Sequence, residues 1–162
     1  MTTEHEWLPP DEWYASLPSV FVAAGGLITD TSGAVLLVKP NYRDHWGLPG
    51  GMTEEAEPPH LTCGREIEEE TGLAVRVGEL LVAGWAPPLA ERPKPMIFLL
   101  YDCGTVPVDV PIRLQASELD AYAFLPPAEA EARLDPLVAR RLPAALKARE
   151  TGRTAYLVTA PQ

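Results

Sequence analysis

The chain has 162 residues, of which 46% are apolar, and 13 basic against 23 acidic side chains give it a formal net charge of -10 at pH 7. This length suits one domain, 1–162, and the apolar share argues against intrinsic disorder. The net negative charge argues against extended nucleic acid and anionic membranes as partners, because both attract proteins through basic surfaces.

The first 18 residues are predicted to form an N-terminal extension with a short helical turn at 11–17. Met1–Pro10 lacks the basic and apolar segments of an export signal, and no apolar run reaches the roughly 18 residues that span a bilayer. Cys63 and Cys103 are the two cysteines of the chain and have no metal-binding spacing. We therefore expect reduced thiols and a cytoplasmic protein.

A hairpin is predicted next. The apolar, β-branched run at 19–29 indicates a strand, and Asp30–Gly33 has the residues of a turn that leads into a second strand at 34–39. A polar loop over 40–46 follows, and Leu48–Gly51 is typical of a tight turn.

A helix is predicted over 58–71, because two prolines suit its first turn and Gly72 suits its end. The later elements are predicted as strands at 74–85 (interrupted near Gly78), 96–103 and 119–125, helices at 127–134 and 136–149 (the second kinked or split by Pro143), and a strand at 153–159 within a C-terminal tail, 150–162. This order of elements predicts an α/β (α+β) fold, with a mixed sheet and helices packed on its faces.

The helix at 58–71 concentrates the negative charge. Seven glutamates and a single basic residue, Arg65, lie between Gly51 and Leu73. On a helix Glu66, Glu69 and Glu70 share one face, where like charges repel each other. Carboxylate oxygens suit a hard divalent cation such as Mg²⁺, with Mn²⁺ as a substitute. A solvated acidic face is the alternative interpretation of this charge run.

A second face of the same helix is predicted to pack against the sheet. This face carries His60, Cys63, Gly64, Ile67 and Thr71. Glycine inside a helix costs about 1 kcal/mol relative to alanine. We therefore expect Gly64 to mark a close approach of the helix to the sheet.

The spacing of these residues resembles the Nudix box. From Gly51 the sequence has five residues, Glu57, seven residues, Arg65-Glu66-Ile67, one residue, Glu69-Glu70, one residue and Gly72-Leu73. All nine fixed positions of that signature are met within 23 residues. Upstream, Trp46–Gly51 also resembles the Nudix hydrolase family, whereas Ala56 stands where the family often has glycine. The resemblance covers residues 19 to 149.

This resemblance implies a Nudix-type α/β/α sandwich, with a mixed central sheet and the catalytic helix at about 58–71. It implies that Glu66, Glu69, Glu70 and the backbone carbonyl of Gly51 bind the metal. Glu57 would pair with Arg65 and orient the helix. The candidates for the general base are Glu66, Glu70 and Glu118, the last because the family often has a further glutamate just before a strand.

The implied reaction is Mg²⁺-dependent hydrolysis of the pyrophosphate bond in a nucleoside diphosphate linked to a second group, X, by a metal-activated water. ADP-ribose, an NDP-sugar and a normal or oxidised dNTP are the substrate classes considered. Pro88 lies 15 residues beyond Leu73, as in the ADP-ribose branch, but in a proline-rich loop. Arg43, Trp46 and Trp85 are candidate substrate contacts.

Three questions stay open from the sequence. A nucleotide-binding sensor on the same fold, without turnover, is the alternative to an enzyme, and an acidic protein-interaction module is a third interpretation. The identity of X is not fixed. A monomer and a homodimer both remain compatible with the sequence.

Overall fold

The computed structural model describes residues 7–89 and 91–159. In these ranges the helices are α1 (Pro10–Ser16), α2 (Pro59–Thr71), α3 (Pro127–Arg133), α4 (Pro136–Ala139) and α5 (Arg141–Thr151), and the strands are β1 (Phe21–Asp30), β2 (Val35–Pro40), β3 (Gly50–Met52), β4 (Leu80–Ala86), β5 (Met96–Val106), β6 (Leu119–Leu125) and β7 (Ala155–Val158). Among the helices so described, none has the length and apolar character needed to cross a bilayer.

The described strands form one mixed sheet in the order β6-β2-β1-β5-β4-β7, with β3 paired to β1. β1 runs parallel to β5 and β4 runs parallel to β7, whereas the other pairs are antiparallel. β1 pairs with β2 at Thr29 and Val35, beside their connecting turn, but its first half pairs with β3. The start of β1 is therefore next to the Gly50–Met52 segment, where the site described below lies.

Two apolar cores cover the two faces of the sheet. Ile28 of β1 packs with Cys63 and Ile67 of α2 on one face. Leu27, its neighbour in the strand, belongs to the other core together with Leu142 of α5. Successive side chains of a strand point to opposite faces, so β1, which has no polar side chain from Phe21 to Ile28, supplies both cores. The predicted mixed sheet with helices on its faces is confirmed.

Some of the predicted element boundaries differ from the structure. The strand expected over 74–85 begins at Leu80, and the turn expected at Leu48–Gly51 leads into β3. The last predicted helix is split, as expected, and it divides at Arg140 into α4 and α5. Pro143 explains this division, because it has no N–H to donate to the carbonyl of Ala139.

The elements in the two terminal segments agree with the prediction. α1 corresponds to the helical turn at 11–17, and β7 is the strand expected in the C-terminal tail. The predicted N-terminal extension (1–18) and C-terminal tail (150–162) also contain residues 1–6 and 160–162, which lie outside the described residues.

Candidate active site

Arg65 of α2 links the loop before the helix to two of the helix's own glutamates. Its Nε donates to Glu57 Oε1 at 2.9 Å, and its Nη2 donates to Glu57 Oε2 at 3.0 Å. Its Nη1 donates to Glu66 Oε1 at 2.9 Å and to Glu69 Oε2 at 3.1 Å. The expected pairing of Glu57 with Arg65 is therefore present, and it is bidentate.

Glu57 is held as a carboxylate by this contact. The Thr62 hydroxyl donates to its Oε2 at 2.7 Å, and the backbone N–H of Glu54 donates to the same atom at 3.1 Å. Arg65 first, then Thr62 and the Glu54 N–H, lower the pKa of Glu57 to about 2. The Glu57 carboxylate thus fixes the guanidinium that in turn contacts Glu66 and Glu69.

Glu70 is the buried glutamate of α2, with 7% of its surface exposed. Its Oε2 accepts a hydrogen bond from the backbone N–H of Gly50 at 2.9 Å. Burial raises the pKa of Glu70 to about 8; the Gly50 hydrogen bond opposes this shift, and the charges of Glu66, Glu118 and Glu69 add to it. Burial also raises the pKa of Glu66, against the effect of Arg65. These carboxylates are crowded and partly desolvated, so a nearby cation would favour their ionised forms.

Gly51 leaves the space that the Glu66 carboxylate occupies. A Cβ at position 51 would lie 2.5 Å from both Cδ and Oε1 of Glu66 and 2.7 Å from its Oε2. Any other residue would therefore push β3 and Glu66 apart. At the other end of α2, Gly72 has a φ of 73° and its N–H donates to the Glu68 carbonyl at 2.8 Å, which ends the helix.

Ala56 is the non-glycine residue with positive φ in the described part of the chain, at 60°. This is the position where the sequence departs from the glycine that often precedes the first box glutamate. The left-handed conformation costs an L-residue about 1–2 kcal/mol. The loop before Glu57 therefore adopts a left-handed conformation at Ala56 without glycine, the residue that adopts it most easily.

Glu118 is brought to Glu66 and Glu70 by the loop that precedes β6. The N–H of Gln115 donates to the Glu70 carbonyl at 3.2 Å, so this loop is joined to the end of α2. The N–H of Asn41 donates to the Glu118 carbonyl at 2.9 Å. Glu118 itself is exposed, and its charge contributes to the raised pKa values of Glu66 and Glu70.

The donor set fits a hard divalent cation, because it consists of carboxylates beside the Gly51 backbone. Within residues 7–89 and 91–159, however, no three His, Cys, Asp or Glu side chains already converge for ligation. Arg65 holds Glu66 and Glu69, and the Gly50 N–H holds Glu70. A cation would therefore compete with Arg65 and with the Gly50 N–H for these oxygens.

A cleft of about 600 Å³ contains Glu66, Glu70 and Glu118. Such a volume is ordinary for a nucleotide-sized ligand. The predicted contacts Arg43 and Trp46 line this cleft. Trp85 is absent from the described lining: it pairs with Ile97, so the alternation along β4 turns it away from the face that carries Phe98.

Part of the cleft was not anticipated from the sequence. Its further lining includes Ala23, Met96, Phe98, Leu134, Asp135, Val138 and Arg141. The period-2 spacing of Met96 and Phe98 places both on one face of β5, which could have indicated a shared surface. Arg141 follows Arg140 in an ordinary helical sequence, and no sequence signal separates the cleft residue from its exposed neighbour.

The remaining expectations for α2 are partly confirmed. Glu68 is exposed, as expected. On the face predicted to pack, His60 is exposed, and Gly64 does not mark a close approach, because a Cβ there would meet only Val77, at an ordinary 3.5 Å. Cys63 and Cys103 are buried free thiols whose sulfur atoms lie 3.6 Å apart.

Comparison with known proteins agrees with this fold. The model of the NUDIX domain matches residues 20–146. The chain is 29% identical over 127 residues to a MutT-like protein of Streptomyces ambofaciens, covering 78% of this chain and 77% of that one. It is also 50% identical to an ADP-ribose pyrophosphatase of Mycobacterium tuberculosis, but over 38 residues, 23% of this chain and 18% of that protein.

Among solved structures, the chain resembles a MutT protein from Methanosarcina mazei Go1 with a TM-score of 0.69 and 22% identity, covering 84% of this chain and all of that one. The likeness supports the fold, and the domain match extends from β1 into α5 and includes the whole glutamate helix. The chain therefore belongs to the Nudix hydrolase family, enzymes that hydrolyse phosphoric anhydride bonds.

Proposed function

We propose that this chain is a Mg²⁺-dependent pyrophosphohydrolase that cleaves a nucleoside diphosphate linked to X. The observation that carries this proposal is the crowding of Glu66, Glu69 and Glu70 on α2, where Glu66 lies against Gly51 and both Glu66 and Glu70 line a nucleotide-sized cleft. Arg65 is a single positive charge shared by Glu57, Glu66 and Glu69, so a divalent cation would offset the negative charge that remains.

In this proposal Glu66, Glu69, Glu70 and the Gly51 carbonyl hold the metal. Bound Mg²⁺ supplies neutralisation of the pyrophosphate charge and a water of lowered pKa. Arg65, fixed by Glu57, holds the carboxylates of Glu66 and Glu69, of which Glu66 lines the cleft. This orientation is the contribution that outer partners make to a metal site.

Glu118 is our choice for the proton acceptor. It lines the cleft, and its carboxylate contacts neither Arg65 nor the Gly50 N–H, unlike the other two candidates. The one described hydrogen bond of this carboxylate is a long contact of 3.5 Å from the Gln115 side chain. Glu118 is therefore able to accept a proton from the attacking water while Glu66 and Glu70 serve the metal.

The substrate class remains a choice among ADP-ribose, an NDP-sugar and a normal or oxidised dNTP. The short match to an ADP-ribose pyrophosphatase and the position of Pro88 both favour testing ADP-ribose first. A cytoplasmic location and a homodimer also remain predictions, which cell fractionation and light scattering would test.

The test is product release from a panel of ADP-ribose, NDP-sugars, dinucleoside polyphosphates, and normal and oxidised dNTPs. Each compound is incubated with Mg²⁺, with Mn²⁺ and with EDTA. We expect metal-dependent cleavage of at least one compound into two phosphate-bearing products. Absence of cleavage throughout, with binding retained, would instead favour a nucleotide-binding sensor.

A further inference from the structure

Arg141 places a positive charge in the same cleft, away from the glutamates. Its guanidinium carbon lies 4.1 Å from the centre of the Phe98 ring, so it stacks on that ring. Its Nε lies 3.8 Å from the point where a Cβ on Gly84 would be. The absence of a side chain at position 84 thus leaves room for the guanidinium over β4 and β5.

The guanidinium has no anionic partner among the described residues. Within 7–89 and 91–159, Arg141 forms no ion pair, and its side chain donates no hydrogen bond. Asp135 is near enough to act on its charge, but its Oδ1 accepts from the N–H of Leu137. Burial lowers the pKa of Arg141 to about 10, and Arg92 adds to this effect. A partly desolvated guanidinium with unused donors favours an anionic ligand.

The register of the sheet separates Phe98, whose ring Arg141 contacts, from Gly51 at the glutamate end of the cleft. Phe98 pairs with Ala23 of β1, and Ala23 pairs with Met52 of β3, next to Gly51. β3 and β5 are therefore two strands apart, which is about 10 Å at ordinary strand spacing. This separation exceeds the distance between the two phosphorus atoms of one diphosphate. If a metal beside Gly51 holds the pyrophosphate of the substrate, the group that contacts Arg141 is therefore a different part of the substrate.

We propose that Arg141 binds an anionic group on X, a carboxylate or a phosphate separated from the scissile pyrophosphate. This inference rests on the proposed function and narrows its substrate class to nucleoside diphosphates with a charged X. The planar guanidinium presents paired N–H donors, which match the two oxygens of a carboxylate or phosphate. Phe98 holds the guanidinium by one face and leaves its edge available to the ligand.

The test uses substrate pairs that differ in this charge. UDP-glucuronic acid is compared with UDP-glucose for a carboxylate, and ADP-ribose phosphorylated on its terminal ribose is compared with ADP-ribose for a phosphate. We expect the wild type to prefer the charged member of at least one pair. Arg141→Met keeps an apolar contact with Phe98, and we expect it to lower kcat/KM for that charged member at least about tenfold. The neutral member should change less than about threefold.

Arg140→Met is the matched control, because it removes the same charge from the neighbouring exposed position. It should leave both members of each pair unchanged. Equal losses on charged and neutral members would assign Arg141 a structural role and overturn the inference. Equal rates for both members of both pairs in the wild type would overturn it as well, while leaving the proposed function intact.

A binding measurement separates the inference from catalysis. In EDTA, the charged member should raise the melting temperature of the wild type more than the neutral member, and Arg141→Met should lose this difference. If that result accompanies no hydrolysis, the proposed function fails and the inference stands. If no charge-dependent stabilisation is found in either pair, the inference fails.

Discussion

Glu70 is the residue of this site whose ionisation burial disfavours most strongly. Its pKa lies near 8, against an ordinary value of 4.5, because it is buried near other carboxylates. Between these two pH values the folded protein keeps a proton that the unfolded chain has released. The free energy of unfolding therefore falls as pH rises from 4.5 towards 8, by at most about 1.4 kcal/mol per pH unit for one group.

We expect this pH dependence to be visible in the metal-free protein. Denaturant unfolding in EDTA at pH 5.5, 7 and 8 should show falling stability in the wild type and a shallower fall in Glu70→Gln, which cannot ionise. Glu68→Gln removes an exposed charge from the same helix and should keep the wild-type slope. An identical slope in Glu70→Gln and the wild type would contradict the assignment.

The contact between α2 and the sheet depends on a glycine of the strand. A Cβ on Gly26 of β1 would lie 2.6 Å from both Cys103 Sγ and Ile67 Cδ1. A Cβ on Gly64 of α2 would meet only Val77, at 3.5 Å. The close approach that the sequence suggested is present, but Gly26 rather than Gly64 makes it possible.

Opposite effects on stability are therefore expected from alanine at these two glycines. Gly26→Ala should lower the free energy of unfolding by about 1–3 kcal/mol, because it overpacks the core under α2. Gly64→Ala should raise it by about 0.5–1 kcal/mol, because alanine is the better helix former and meets no clash. Urea unfolding of both variants measures this, and a stability loss in Gly64→Ala would show that the helix does need glycine there.

Local sequence rules predicted α2 and most strands well, because their signals lie within a few residues. Gly72 ends α2 by its own conformation, and the box positions place Glu66, Glu69 and Glu70 on one helical turn. The location of Arg141 in the cleft depends on how α5 packs over β4 and β5, which are distant in sequence. Trp85 was misplaced for the same reason, since strand register decides which face of β4 it occupies.

At the scale of the whole molecule, Arg149 joins the C-terminal helix to the centre of the sheet. Its Nε and Nη2 donate to the two carboxylate oxygens of Asp102 on β5 at 3.0 and 2.6 Å. Its Nη1 donates to Thr29 Oγ1 at 3.0 Å, and its Nη2 to the Leu27 carbonyl at 2.9 Å. One side chain thus connects α5, β1 and β5, on the face opposite α2.

Removal of this side chain should destabilise the fold. Arg149→Met removes the guanidinium donors to Asp102 and to the Leu27 carbonyl and leaves the Asp102 carboxylate with the Gly104 N–H, so we expect a loss of about 1–3 kcal/mol in the free energy of unfolding. Lys147→Met is the control, because Lys147 and Glu150 are more than 70% exposed and 3.9 Å apart. That variant should stay within about 0.5 kcal/mol of the wild type in the same urea titration. Equal losses in both would refute the special role of Arg149.

The net charge of -10 is unevenly distributed over the folded chain. Its densest part is the group of glutamates on α2, which lies next to Arg65 and Gly51 and extends into the cleft. Arg141 supplies positive charge within the same cleft. We therefore expect the molecule to bind a small anionic nucleotide derivative through a cation at one end of the cleft and through Arg141 at the other.

The most direct test of the central claim is the turnover of Glu69→Gln and Glu70→Gln under saturating Mg²⁺, with Glu68→Gln as the control on the same helix. If these carboxylates hold the metal, each of the first two variants should lose at least about 100-fold in kcat, while Glu68→Gln stays near the wild type. Near-normal turnover in Glu69→Gln or Glu70→Gln would contradict the account.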